Sequence, residues 1–224
     1  SLSPSENYVI YTTYESPGDS KSTSVPHFVT ENGYIRNEKA RPKVGSPEGK
    51  MHTGIFDIRE NKTITVEVSG LPGLKDLPGY LSEYPGQMPE DNSEIKERAV
   101  NLLQPVWHKE KDIAVLTALS HDNKDRWIVL LDAATGELKL LDRQRDEAWI
   151  GGPGIGGWSL SGGATGWMPD GQSVWFHTEA TGYSHLVAVN TETGQKKALT
   201  SGKFEVSDAF ISKDKKHFYF TANK

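Results

Sequence analysis

The sequence predicts an all-β fold, a β-propeller of four-stranded antiparallel blades present as a fragment of about three to four blades. Three observations carry that prediction. Short stretches of alternating apolar and polar residues, rich in β-branched and aromatic side chains, recur along the chain. Turn pairs such as Thr135-Gly136, Asp170-Gly171 and Thr193-Gly194 close them. One arrangement of strands and turns then appears twice.

The better copy runs Trp167-Met168-Pro169-Asp170-Gly171, a strand from Ser173 to Thr178, a second from His185 to Asn190, the turn at Thr193-Gly194, and a last strand from Lys197 to Thr200. Tight turns between such strands fit one blade. The other copy predicts strands from Ile113 to Ala118, Trp127 to Asp132 and Glu137 to Leu141. Its Asp132-Ala-Ala-Thr135-Gly136 mirrors Asn190-Thr-Glu-Thr193-Gly194 at a period of 58 residues. A blade usually repeats at roughly 40 to 50 residues; a Gly-rich inter-blade loop at 143–166 accounts for the excess. Partial copies are expected at Ser3-Pro4-Ser5 with Tyr8 to Thr13, and at Ser212-Lys213-Asp214 with His217 to Thr221. In the first, Ile55 to Ile58 and Ile64 to Val68 supply a closing hairpin around Glu60-Asn61-Lys62. Closed rings have about four to eight blades. Residues 1–224 are therefore expected to be part of a larger propeller, with strand edges open to self-association.

Residues 70–100 break the pattern with Pro72, Pro78, Pro85 and Pro89 among glycines. They read as a Pro/Gly-rich insertion followed by a short helix capped by Asp91 or Ser93, with Glu94 and Glu97 in its first turns and Arg98 near its end.

Composition bounds the function. With 25 basic against 30 acidic residues and a net charge of −5, the chain offers no broad cationic surface for nucleic acid or anionic membranes. The absence of cysteine excludes a disulfide scaffold and thiolate metal sites. No stretch of eighteen apolar residues occurs, and Ser1 opens into a polar turn, so any signal peptide would lie upstream. The seven histidines show no H-E-x-x-H spacing, so neither a metal nor another cofactor is expected. Asp122, Asn123 and Asp125 begin like a calcium loop, but Trp127 replaces its glycine and Ala133 its terminal glutamate.

Three segments carry a family resemblance. Glu179-Ala-Thr-Gly182-Tyr183-Ser-His185-Leu186, preceded by Thr178, resembles the S-E-x-x-G-Y-x-H-L signature of the propeller of dipeptidyl peptidase IV and its relatives. Leu199-Thr200-Ser-Gly202-Lys-Phe204-Glu205-Val206 resembles L-T-x-G-x-W-x-V, and Arg41-Pro42-Lys43-Val44-Gly45 resembles Y-P-K-A-G. The matches fall in the family's order. The resemblance implies a serine exopeptidase in which this propeller gates and positions peptide substrates for a C-terminal α/β-hydrolase domain, in the periplasm or outside the cell. The family's D-W-x-Y-E-E amine anchor would lie upstream of Ser3, and its Ser-Asp-His triad downstream. A non-enzymatic propeller acting as a protein-interaction scaffold is the competing reading.

Within this frame no catalytic residue is expected in the chain. Gly157-Trp158-Ser159-Leu160-Ser161 imitates a nucleophile elbow, but Ser161 replaces the second glycine that the strained turn needs. Gly152-Pro-Gly154-Ile-Gly-Gly157 matches G-x-G-x-x-G by letter, without the preceding strand or following helix of a dinucleotide site. Of six tryptophans, Trp107, Trp127, Trp167 and Trp175 sit in strand patterns as core; Trp149 and Trp158 flank the glycine run. The family carries a substrate-facing G-W-V-G in this region, so Trp149, Ile150, Gly151 and Trp158 are the substrate-binding candidates. The competing reading makes this loop a connector. Glu179, Gly182, Tyr183 and His185 read first as structural, flanking a tight turn where Gly182 takes a positive φ.

Overall fold

The computed structural model describes residues 1–224 apart from Ser20, Asn92, Glu94, 157–162 and Lys224. It divides into two compact units, Ser1–Thr12 with Thr53–Lys224, and Thr13–His52.

The large unit is a run of blades. The first is a three-stranded sheet ordered β1 (Tyr8–Glu15), β4 (Lys50–Asp57), β5 (Lys62–Thr65), with Leu2 bridging Val9 at its free edge. The second is complete: β6 (Val100–Trp107), β7 (Ile113–Ser120), β8 (Asp125–Asp132), β9 (Leu138–Arg145). So is the third: β10 (Thr165–Trp167), β11 (Ser173–Thr178), β12 (His185–Asn190), β13 (Lys196–Ala198). A fourth begins with β14 (Val206–Ile211) and β15 (Phe218–Ala222). The fold is thus a β-propeller of antiparallel four-stranded blades, present as about three to four of them.

The repeated turns fold alike. Asp132 Oδ1 accepts the amides of Ala134 and Thr135 at 2.8 and 3.1 Å, and Asn190 Oδ1 accepts those of Glu192 and Thr193 at 3.1 and 2.9 Å. Gly136 and Gly194 close the two turns at φ +78° and +72°, where a Cβ would be strained. An acceptor at the first position and glycine at the fifth position explain why this pattern is copied.

Stacking explains the apolar strands. Alternate residues of a strand face opposite sides of its sheet. Ala114, Leu116 and Ala118 of β7 join Ile10, Ile55 and Trp127 in the core beside the first blade, while Val115 joins Ile128, Val174 and Phe176 in the core beside the third. Trp175, Leu186 and Val206 form the next layer. A central blade is buried on both faces, so it reads as a nearly continuous apolar run.

One departure from the sequence reading concerns local structure. In the small unit, β2 (Ser22–His27) and β3 (Arg36–Pro42) form a hairpin that the sequence did not announce. In the insertion, 3₁₀ segments lie at Gly79–Glu83 and Pro85–Gln87; the start of the short helix expected at Asp91 or Ser93 includes Asn92 and Glu94, which lie outside the described residues. Asp91 accepts the Ser93 amide and hydroxyl at 3.0 and 2.6 Å, and Arg98 turns inward. It meets Arg143 and Arg145 around Asp125, a fully buried carboxylate that accepts from Arg98 Nη2, Arg143 Nε and Arg145 Nη1 at 2.6, 2.8 and 2.7 Å. Arg98 also donates to Gly73 O at 2.6 Å and Arg143 to Asp76 at 2.5 Å, which pins the insertion to the second blade.

Candidate functional site

The loop after β9 and the turn between β11 and β12 come together. Asp146 starts the loop, its Oδ1 accepting the amides of Ala148 and Trp149 at 2.7 and 3.1 Å. The Ile150 amide then donates to Asn123 O at 2.5 Å. Between these anchors the Trp149 side chain stands 63% exposed, whereas Ile150 is partly buried. Gly152 and Gly156 pair across a tight turn that buries Ile155. The Pro153 carbonyl accepts the Ser184 hydroxyl at 2.6 Å, and the Gly154 carbonyl accepts the Ala164 amide at 3.1 Å.

Close approach decides two of these glycines. A Cβ on Gly152 would lie 2.3 Å from Glu179 Oε1, and one on Gly154 would lie 2.3 Å from His177 Nε2. Both residues also have positive φ, +128° and +70°. A cleft of about 490 Å³ opens between this loop and β14, bordered by Gly152, Gly154, Gly156, Ser207, Asp208 and Phe210. Gly151 belongs to the same loop, its position of a Cβ lying 3.6 Å from the Trp149 ring. Trp158, with Ser159 of the imitation elbow, lies outside the described residues.

On the facing turn, the Gly182 amide donates to Glu179 O at 2.8 Å, and Gly182 has φ +87°. His185 is buried. Thr200 Oγ1 accepts the Leu186 amide at 2.9 Å and is hydrogen-bonded to His185 Nδ1 at 3.1 Å, and His185 Nε2 donates to Gly202 O at 3.0 Å. These contacts tie β12 to the segment leading into β14. Phe204, in the place of the family's Trp, packs edge-on against this ring at 5.1 Å, and Tyr183 lies 6.5 Å away on its outer side.

Three residues escaped the sequence reading. Glu205 accepts the Ser184 amide close to Glu179. Partial burial, then the charges of Glu205 and Asp146, raise the Glu179 carboxyl above its ordinary range. The local field is therefore negative and favours a cationic group. Beneath the loop, fully buried Arg126 donates to Gln144 Oε1 at 3.1 Å and to His177 O at 2.9 Å. Burial lowers its pKa to about 10 against the opposing effect of Asp142. The His177 ring is also fully buried, and among the described residues neither nitrogen makes a well-formed hydrogen bond, though a backbone interaction with Ala164 offsets part of its pKa shift. Burial, then Arg126, lowers its pKa to about 4. A lone arginine in an apolar strand and a histidine beside Phe176 were the available signals.

Blades of this build, with a glycine loop entering one of them beside an acidic turn, define a propeller module. The family model for the dipeptidyl peptidase IV N-terminal region matches residues 2–224, and the chain belongs to that family. No curated protein sequence matches it. A candidate dipeptidyl aminopeptidase IV of Bacteroides ovatus superposes with a TM-score of 0.63 at 15% identity, over 99% of this chain and 29% of its own. Dipeptidyl peptidase 4 of Porphyromonas gingivalis superposes with a TM-score of 0.61 at 12% identity, over 95% and 25%. The chain thus spans between a quarter and a third of these relatives' length.

Proposed function

We propose that this chain is the non-catalytic propeller part of a dipeptidyl peptidase IV-like serine exopeptidase, gating and positioning peptide substrates for a C-terminal α/β-hydrolase domain. The family match over residues 2–224 supports the parentage. The observation that carries the positioning role is Trp149, a large apolar side chain 63% exposed although its backbone is hydrogen-bonded on both sides. Such a side chain can take up a peptide's apolar residue with little of its own backbone left to order. In this reading the propeller restricts access and orientation, and the bond-breaking chemistry belongs to the hydrolase domain.

In the full-length protein, Trp149→Ala should lower kcat/KM about tenfold for peptides with bulky residues near the cleavage site, on the order of 1 to 2 kcal/mol of lost apolar contact. Steady-state kinetics on a peptide series checks it. Unchanged kinetics in a folded variant would make the loop a connector.

A further inference from the structure

A second cavity lies at the other end of β10 from the glycine loop. It holds about 360 Å³ and is formed where the turns β6–β7, β10–β11 and β14–β15 of three consecutive blades meet. Its walls are apolar: Trp107, Trp167, Met168 and Ile211. Their placement follows from the chain. Pro105 cannot donate to the ladder, and β6 bulges there, with Gln104 at φ +40° and a register shift between Leu103 and Val106. The bulged strand presents the Val106 carbonyl to Trp167 Nε1 at 3.0 Å.

The polar atoms of the wall are already engaged. His108 Nδ1 accepts the amides of Glu110 and Lys111 at 3.0 and 2.9 Å, so Nε2 carries the proton and donates to Gly171 O at 3.2 Å. Trp107 Nε1 donates to Ser1 Oγ at 2.9 Å. The rim is cationic, with Lys109, Lys213 and Lys215 bordering the cavity and no acidic residue among its described lining. Lys109 has Glu110 at 3.4 Å; Lys213 and Lys215 make no ion pair among the described residues. The neighbouring acids are held in their own turns, Asp170 by the amides of Gln172 and Ser173, Asp214 by Ser212 and the Lys216 amide. Lys215 also stands at φ +60°, at the turn position where the preceding blade uses Gly171 at +67°. A lysine there costs backbone strain that glycine would avoid.

We propose that this cavity binds a carboxylate carried on a small apolar body, the ring or aliphatic group in the aromatic wall and the anion between Lys213 and Lys215. Its size suits one such group, and the satisfied wall leaves charge and apolar contact as the selecting forces. A free aryl carboxylate and the carboxyl end of a peptide with an apolar last residue share this chemistry. The site is independent of the Trp149 loop and of the peptidase reading.

The test is calorimetric titration of the full-length protein with 3-phenylpropionate and with N-acetyl-glycyl-glycyl-phenylalanine, each beside its primary amide. Both acids should bind at least tenfold more tightly than their amides, and their affinity should fall as salt rises. Tighter binding of the tripeptide than of the free acid identifies the peptide end as the source, and the reverse identifies the small acid. The variant Lys213→Gln with Lys215→Gly should lose at least tenfold in affinity for the acids while unfolding no earlier than the parent, since glycine relieves the strained turn. Equal binding of acids and amides, no binding of either acid, or full affinity in the double variant would overturn the proposal.

Discussion

Acid should destabilise this protein through one histidine. His177 is fully buried under Gly154 and faces Arg126, with Asp208 as the one opposing charge, so its folded-state pKa is about 4 against 6.5 in the unfolded chain. Below 6.5 the unfolded chain takes up a proton that the folded protein refuses. The contribution to stability is therefore complete above about pH 6.5 and is lost progressively as the pH falls towards 4. At about 1.4 kcal/mol per pH unit, the gap from 6.5 to about 4 gives on the order of 3 kcal/mol in all, and about 2 kcal/mol between pH 6.5 and pH 5. Carboxylates also titrate in acid, so a comparison isolates the histidine. Denaturant unfolding of the wild type and of His177→Leu at pH 7.5 and 5.0 supplies it. The leucine variant has its own packing offset, which is the same at both pH values. The wild type should lose about 2 kcal/mol more than the variant over that interval. Equal losses, within about 0.5 kcal/mol, would show that the buried imidazole is not held neutral and would refute the reasoning.

Gly154→Ala should cost roughly 2 to 4 kcal/mol, because its Cβ would meet His177 Nε2 at 2.3 Å and the residue has φ +70°. Thermal melts should show a drop of roughly 10 °C, whereas Gly182→Ala, at φ +87° with open space around its Cβ, should cost only about 1 to 2 kcal/mol. Asp125→Asn should cost about 3 to 5 kcal/mol, since it leaves Arg98, Arg143 and Arg145 around a neutral group. Hydrogen exchange should then quicken in the insertion around Gly73 and Asp76, which those arginines hold.

The blades were legible because their signals are local. An Asp or Asn followed four residues later by glycine specifies a turn by its own hydrogen bonds, and a strand buried on both faces must be apolar throughout. The hairpin of β2 and β3 was not legible for the same reason. Ser22–His27 and Arg36–Pro42 carry no alternation, each contains a proline, and their residues are mostly exposed, so nothing had to be apolar. Of β6 only Trp107 read as strand, and Pro105 hid the rest, since a proline argues against a paired strand unless a bulge absorbs it. At the candidate site, the turn at Gly182 could be read from its residue types. The contact of Glu205 with Ser184 and of Arg126 with the His177 backbone joins segments about 20 and about 50 residues apart, and no local pattern records such distances.

The glycine loop shows how composition alone misleads. Five glycines between 151 and 157 argue for mobility if each is counted as freedom. Two of the described glycines answer to contact: Gly152 makes room for Glu179 and Gly154 makes room for His177, and Ile155 beside them is buried. A larger residue at either glycine would push the loop away from the third blade and release its hydrogen bonds to Ser184 and Ala164. The loop and the Glu179 turn consequently stand or fall together. Because Ile155 is buried and Asp146 and Asn123 hold the start of the loop by hydrogen bonds, loosening at Gly154 should spread to Trp149 before the blade's own strands are affected. Order in the loop is thus the condition on which any role of Trp149 depends.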